Sequence, residues 1–198
     1  LTRARERAKH LLVLPTVDVV QANVFDAATL EKQFRGMDAV INLIGILRER
    51  RRGDFQRVHT QLPQTMVTSL QRAGVRRFLH MSSLPAARDA PSAYLRSKGE
   101  AEIAIKNTRG EVAITIFRPS VIFGPGDSFL NLFAKVVRFV PVIALACPDS
   151  RFQPIYVEDV ARVFAASLGE PATFGETYNL CGPQTYTLRE LIELVCRT

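Results

Sequence analysis

Two serines, Ser82-Ser83, and the run Tyr94-Leu95-Arg96-Ser97-Lys98 that follows them are the residues whose types and spacing could do chemistry. Residues four apart lie on one face of a helix, so the Tyr94 phenol and the Lys98 ammonium can share a pocket. A cation beside a phenol favours the phenolate and lowers a pKa that is about 10 in isolation. The product is a proton donor and acceptor usable near neutral pH. A serine hydroxyl nearby could hold a carbonyl or alcohol oxygen against that tyrosine. The same spacing also suits a plain helix surface with a half-buried tyrosine and a solvated lysine. Position favours the chemistry: the serines end Arg77-Phe78-Leu79-His80-Met81, which reads as a buried strand, and the Tyr/Lys pair lies in Ser92 to Thr108, which reads as a helix.

The elements that must carry these residues alternate along the chain. Val17 to Ala22 reads as a strand, followed by a short helix from Ala27 to Arg35. Asp38 to Ile44 reads as the next strand, ending at Gly45. Asp54 is placed to cap a long helix carrying Phe55, Val58, Leu62, Met66, Leu70 and Ala73 near helical spacing, with Gly74 as its stop. Val112 to Phe117 is a further strand. Nearly continuous apolar strands alternating with helices imply a parallel sheet covered on both faces, a doubly wound α/β architecture. After Phe117 the rhythm changes. Arg118 to Asp127 is rich in turns, Ser128 to Val140 fits an amphipathic helix, and Arg151 to Val157 reads as a strand leading into a helix from Glu158 to Leu168. Glu176 to Leu180 reads as a strand, and Thr187-Leu188-Arg189-Glu190 is a capping-box pattern opening the last helix. The division expected is a core over residues 1–125 and a small C-terminal α/β cap over 126–198, with elements returning to the core.

Bulk composition narrows the function classes. With 47% hydrophobic and 23% charged residues, the chain is an ordinary globular one. Cys147, Cys181 and Cys196 show no metal spacing, and a sparse, odd count fits free thiols in a reducing compartment. His10, His59 and His80 are scattered, so no metal site is expected, and each reads as a strand-end or helix-face residue. The net charge of +7 gathers in Arg3 to Arg7 and Arg48 to Arg52. Such runs suit solvated surface, or phosphate, nucleic acid and anionic lipid. Without aromatic interleaving or zinc-finger spacing, nucleic acid is not an expected partner. No signal peptide is visible, and Phe129 to Cys147, the most apolar region, is interrupted by Lys135, Arg138 and Pro141, which argues against a bilayer span. A cytoplasmic location is expected.

The first glycine is Gly36, so no Gly-rich phosphate loop precedes the first strand, as a doubly wound nucleotide-binding sheet normally requires. Either the fold does not bind nucleotide, or the sheet is N-terminally truncated.

Asn42-Leu43-Ile44-Gly45, Ser82-Ser83, Tyr94-x-x-x-Lys98, Arg118 to Gly126 and Tyr156-Val157-Glu158-Asp159-Val160-Ala161 occur in this order over nearly the whole chain. In order and spacing they resemble the extended and atypical short-chain dehydrogenase/reductases, the NAD-dependent epimerase/dehydratase-like proteins. Asn42 to Ile46, Leu84-Pro85-Ala86 after the serines, and Ser92 to Glu102 look most like the branch containing the NAD(P)H-binding accessory subunit of respiratory complex I and its bacterial relatives. The resemblance implies a Rossmann-like fold whose first strand, glycine loop and first helix would lie before Leu1. It implies Tyr94 as acid/base, Lys98 as the residue that lowers its pKa and bonds the nicotinamide ribose, and Ser83 as the substrate-orienting serine, with Ser82 the fallback. Asn23 and Val24 match the pair that brackets adenine, with Asn in place of the usual Asp. Leu43 and Gly45 match the strand end where backbone approaches the cofactor, and Pro119 to Val121 match the segment that meets the nicotinamide amide. Arg3 matches a basic residue that favours a 2′-phosphate, hence NADP(H) over NAD(H).

The implied function is an NAD(P)-dependent oxidoreductase, epimerase or dehydratase. The alternative is a non-catalytic NAD(P)H-binding assembly or accessory subunit of a respiratory-chain NADH dehydrogenase, associated peripherally with a membrane complex at the inner face of the membrane. The chain as written is expected to bind dinucleotide weakly or not at all, and a longer protein to bind it. Phe129, Phe133 and Val137 suggest an apolar or lipid-like substrate.

Overall fold

The computed structural model describes residues 1–108, 110–127, 129–137 and 145–197. Four strands form a parallel sheet: β1 (Val40–Asn42), β2 (Arg77–Met81), β3 (Ala113–Pro119) and β7 (Thr177–Leu180), in the order β1-β2-β3-β7. The register runs Asn42, His80, Ile116, Thr177 straight across, so these four side chains share one face. α1 (Ala27–Phe34) precedes β1; between the main strands lie α2 (Leu62–Arg72), α3 (Ala93–Lys106) and, after β3, β4 (Ile122–Phe123), α4 (Leu130–Val137), β5 (Arg151–Phe152), β6 (Ile155–Tyr156) and α5 (Val157–Ser167). After β7 come β8 (Tyr186–Thr187) and α6 (Leu188–Arg197).

The period of two along the strands sorts the core into two layers. On one face Val40, Phe78, Ile114 and Ile116 pack against Leu30 and Phe34 of α1, Leu62, Met66, Val67 and Leu70 of α2, and Ile105 of α3. On the other, Leu79 and Phe117 pack against Val160 and Phe164 of α5. Burying each such Leu, Ile or Phe side chain contributes about 1.5–3 kcal/mol before entropy is counted. This is the expected doubly wound sheet. Arg77 pins the second layer: only 6% exposed, it donates to the carbonyls of Ser167 at 2.6 Å and Leu168 at 3.2 Å, at the carboxyl end of α5. A cation is favourable against that end of a helix dipole.

Several expected elements differ in detail. Val17 to Ala22 makes no strand, only one parallel bridge between Gln21 and Thr2, because no neighbour among the described residues extends the ladder. The long helix opens as a π-helical turn over Gln56–Gln61 before becoming α2. Asp54 does not cap it. Its carboxylate accepts the amides of Arg50 at 3.1 Å and Arg51 at 2.9 Å, in the loop before the helix. Gly74 does end α2 with φ of +79°, and the amides of Gly74 and Val75 close back on the carbonyls of Gln71 and Leu70. Arg151 to Val157 splits into β5 and β6, since Pro154 lacks the N–H a continuous strand needs. Of the helix expected over Ser128 to Val140, Leu130–Val137 is helical, while 128 and 138–140 lie outside the described residues. The capping box at Thr187 and Glu190 forms as expected, with reciprocal bonds of 2.7 and 3.2 Å.

Candidate active site

Beyond the carboxyl ends of β1, β2 and β3 lies a cavity of about 450 Å³, the place where open parallel sheets bind ligands. β1 delivers Leu43, Gly45, Ile46 and Leu47, β2 delivers Met81 to Leu84, and β3 delivers Pro119 to Ile122. Tyr94 and Lys98 enter from α3, and Phe129 closes the far side. The expected site residues outside the N-terminal segment, Tyr94, Lys98, Ser83, Ser82, Leu43, Gly45, Pro119 and Val121, all line this one space.

Local sequence explains how α3 presents its pair. Ser92 caps the helix through its hydroxyl, which accepts the Leu95 amide at 3.1 Å. Gly99 lets the helix lie on the loop after β2, for a Cβ there would stand 2.5 Å from the backbone of Ala87. That approach buries Lys98 to 4% exposure, and its Nζ donates to the Met81 carbonyl at 3.0 Å. Burial brings the Lys98 pKa down to about 8, with the Glu102 carboxylate pulling the other way. Tyr94 behaves differently from expectation. Burial raises its phenol above the usual value, the Ser83 hydroxyl opposes that shift, and Lys98 does not contribute to it. The lysine ammonium is engaged by the end of β2, so the phenol feels mainly its apolar surroundings.

The two serines have different partners. Ser82 is 3% exposed and its hydroxyl donates to Glu102. Glu102 also receives Arg118 Nε, at 2.9 and 3.1 Å, and Arg118 Nη2. This network under the serine strand raises the Arg118 pKa and uses up the Ser82 hydroxyl. Ser83 is half-buried, and its hydroxyl bonds the Tyr94 phenol.

Two histidines that the sequence reads only as strand-end or helix-face residues lie close enough to Lys98 to feel its charge. His59, on the π-helical turn, is 1% exposed; its Nε2 accepts the Ile46 amide at 3.1 Å and its Nδ1 meets Ser97 Oγ at 2.8 Å. Ser97 Oγ donates to the Tyr94 carbonyl at 2.7 Å. Burial, with Lys98 adding to it, brings the His59 pKa down to about 4. The only sequence signal was the spacing Phe55-x-x-x-His59, and the rings do stack, 5.3 Å apart. His80 is buried too, beside Asn42 Nδ2 at 3.0 Å, with its pKa lowered to about 3 by burial.

The adenine-side expectation is only partly assembled. Arg3, Gln21, Ala22 and Asn23 line a separate open depression of about 380 Å³. Asn23 Oδ1 accepts the Phe25 amide at 3.1 Å, a local turn contact, and Val24 turns inward to the core at 5% exposure instead of lining the depression. Of the apolar residues expected toward a substrate, Phe129 lines the cavity and Phe133 stacks edge-on behind it at 5.4 Å, while the Val137 side chain lies outside the described residues. Among the described residues no group of histidines, cysteines and carboxylates could hold a metal. No described helix is long and apolar enough to cross a membrane.

Comparison with known proteins agrees with the fold. The sequence model of the NAD-dependent epimerase/dehydratase family matches residues 1–181. The alpha subcomplex subunit 9 of mouse mitochondrial NADH dehydrogenase (ubiquinone) is 36% identical over 172 residues, which are 86% of this chain and 45% of that protein. A ceramide reductase of Caulobacter vibrioides is 31% identical over 78% of this chain and 48% of its own length. The chain thus spans about half the length of the curated relatives it matches. A dTDP-glucose 4,6-dehydratase double mutant of Streptomyces venezuelae, crystallised with NAD, superposes with a TM-score of 0.84 over all of this chain and 69% of that one, at 22% identity.

Proposed function

The chain belongs to the NAD-dependent epimerase/dehydratase family, and from that premise we propose that it binds a nicotinamide dinucleotide and performs Tyr94-centred oxidoreduction on an apolar carbonyl or alcohol. The observation that carries this reading is the convergence of Ser83, Tyr94 and Lys98 on one cavity whose remaining wall is almost entirely apolar. The residues present suit the cofactor: Lys98 offers a buried cation for a ribose, Gly45 leaves backbone open beside it, and Pro119 to Val121 offer main-chain groups to an amide. Arg3 supports a preference for NADP(H), with NAD(H) as the alternative.

A bound nicotinamide supplies or accepts hydride. Tyr94 Oη gives a proton to a substrate oxygen, or takes one from it, and Ser83 Oγ holds the same oxygen by a hydrogen bond. Leu84, Ile122 and Phe129 give the cavity an apolar wall that disfavours charged substrates. Lys98 as a cation lowers the phenol's pKa once its ammonium turns from the Met81 carbonyl toward the tyrosine.

A second reading has its own support. Relatives named as NADH dehydrogenase subunits favour a dinucleotide-holding accessory subunit, peripheral to a membrane complex, in which the same residues bind without turnover. Assay of the full-length protein with NADPH and a panel of long-chain ketones separates the two. The enzyme reading predicts oxidation of NADPH that is lost in Tyr94→Phe at unchanged dinucleotide affinity. Tight NADPH binding without turnover on any of them would overturn the enzyme reading in favour of the accessory one.

A further inference from the structure

Building on that reading, we propose that His59 is a positioning residue of this site: a neutral imidazole that fastens the Gly45–Ile46 turn to the Tyr94 helix, so that the cofactor-side loop and the proton-transferring hydroxyl are held as one unit.

Both ring nitrogens are occupied, and their partners dictate the tautomer. Nε2 lies 3.1 Å from the Ile46 amide nitrogen, which can only donate, so Nε2 carries no proton. The proton therefore sits on Nδ1 and goes to Ser97 Oγ at 2.8 Å. Ser97 passes its own hydrogen to the Tyr94 carbonyl at 2.7 Å. Every donor along this path points the same way, from the loop after β1 to the residue that carries the phenol. Thr60 adds a parallel tie, its hydroxyl donating to the Ser97 carbonyl at 3.1 Å.

The ring also fixes the phenol by contact. The Tyr94 ring meets the His59 ring edge-on at 5.3 Å, and Phe55 stacks on His59 at 5.3 Å and meets Tyr94 at 5.9 Å. With Ser83 on its hydroxyl side, Tyr94 is held in one orientation. The loop end matters equally. A Cβ added at Gly45 would lie 3.5 Å from Lys98 Nζ and 3.7 Å from His59 Nε2, so the imidazole stands at the point where the turn approaches the buried lysine. Protonating the ring would set an N–H against the Ile46 N–H and add a second cation beside Lys98. Neither other histidine has this placement: His10 is exposed and His80 is committed to Asn42.

The test uses the full-length protein and three readouts. In ¹⁵N NMR the His59 ring should keep the pattern of a neutral Nδ1–H tautomer from about pH 8 to about pH 5.5; an Nε2–H pattern would overturn the proposal. In NADPH titration, His59→Phe, which keeps the aromatic packing and loses both hydrogen bonds, should weaken affinity about tenfold, the size expected for one lost net hydrogen bond. His59→Gln, whose amide can accept from Ile46 and donate to Ser97, should recover most of that loss. In a tyrosinate absorbance titration read against Tyr94→Phe, both His59→Phe and Ser97→Ala should move the Tyr94 midpoint. Leu70→Ala, a core change, should lower the melting temperature at least as far and move neither quantity. A His59→Phe protein that differs from wild type only in melting temperature would reduce His59 to a packing residue. If the wild type binds no NADPH, the dinucleotide reading fails; the positioning proposal then stands or falls with the Tyr94 midpoint in His59→Phe.

Discussion

The two ends of the candidate dinucleotide site are built to different standards. At the carboxyl ends of β1 to β3, Ser82, His59, Lys98 and Glu102 are each less than 5% exposed and each has a hydrogen-bond partner. Around Arg3 and Asn23, the side chains are exposed and the backbone is joined by one bridge, through Thr2 N to Val20 O at 2.9 Å and Ala22 N to Thr2 O at 3.0 Å. The difference teaches where geometry is fixed by folding. Buried polar groups must be satisfied, and satisfying them sets positions to within a hydrogen bond. An exposed segment carries no such obligation, so its residues supply charge and not alignment.

The sharpest break comes at the buried end. Tyr94→Phe should lower turnover by about 10²–10⁴-fold, the usual worth of a positioned proton-transfer group, without changing the melting temperature; steady-state rates at saturating NADPH check this. Next is Glu102→Ala, which strands Ser82 and Arg118 beneath the serine strand. Breaking a buried ion pair costs about 3–5 kcal/mol, and since Arg118 keeps 31% of its side chain in solvent, the loss should fall at the low end, about 3 kcal/mol by urea unfolding.

Acidification should separate the two ends further. His59 and His80 have folded pKa values of about 4 and about 3, below the 6.5 of the free side chain. The unfolded chain therefore binds more protons below about pH 6.5, so stability falls as pH drops through that value toward pH 4. The loss should be about 2 kcal/mol for each histidine between pH 7 and pH 5. His80→Phe should flatten the slope, while substituting exposed His10 should leave it unchanged. Smallest is Arg3→Ala: it should reduce any preference for NADPH over NADH by about threefold, the scale of an exposed charge contact, with no change in stability. A larger effect would mean that the N-terminal end is as firmly built as the other.

How much of this was legible in the sequence follows the same divide. β2 begins and ends at Arg77 and Met81 as the apolar run implies, and α3 opens at its Ser92 cap, because burial on both faces and a capping serine are local signals. The cavity residues were legible because the strand ends and the Tyr-x-x-x-Lys pair carry them. Val17 to Ala22 misled, since β-branched residues make a strand only where a partner extends the ladder. Asp54 looked like a cap, yet the amides nearest its carboxylate belong to the preceding loop. His59 was hidden for a different reason. Its partners are a backbone amide and a serine 38 residues away, and long-range hydrogen bonds leave no periodic trace in a sequence. The Glu102, Arg118 and Ser82 network was equally invisible, although it is what separates the two serines.

The central claim is that the Lys98 end of the cavity is the anchoring half of a dinucleotide site. Fluorescence titration of the full-length protein with NADPH, wild type against Lys98→Met, tests it most directly. Saturable binding by the wild type, weakened at least tenfold in the variant while the fold is retained, is the predicted result. Equal binding by both proteins, or none by the wild type, would contradict it.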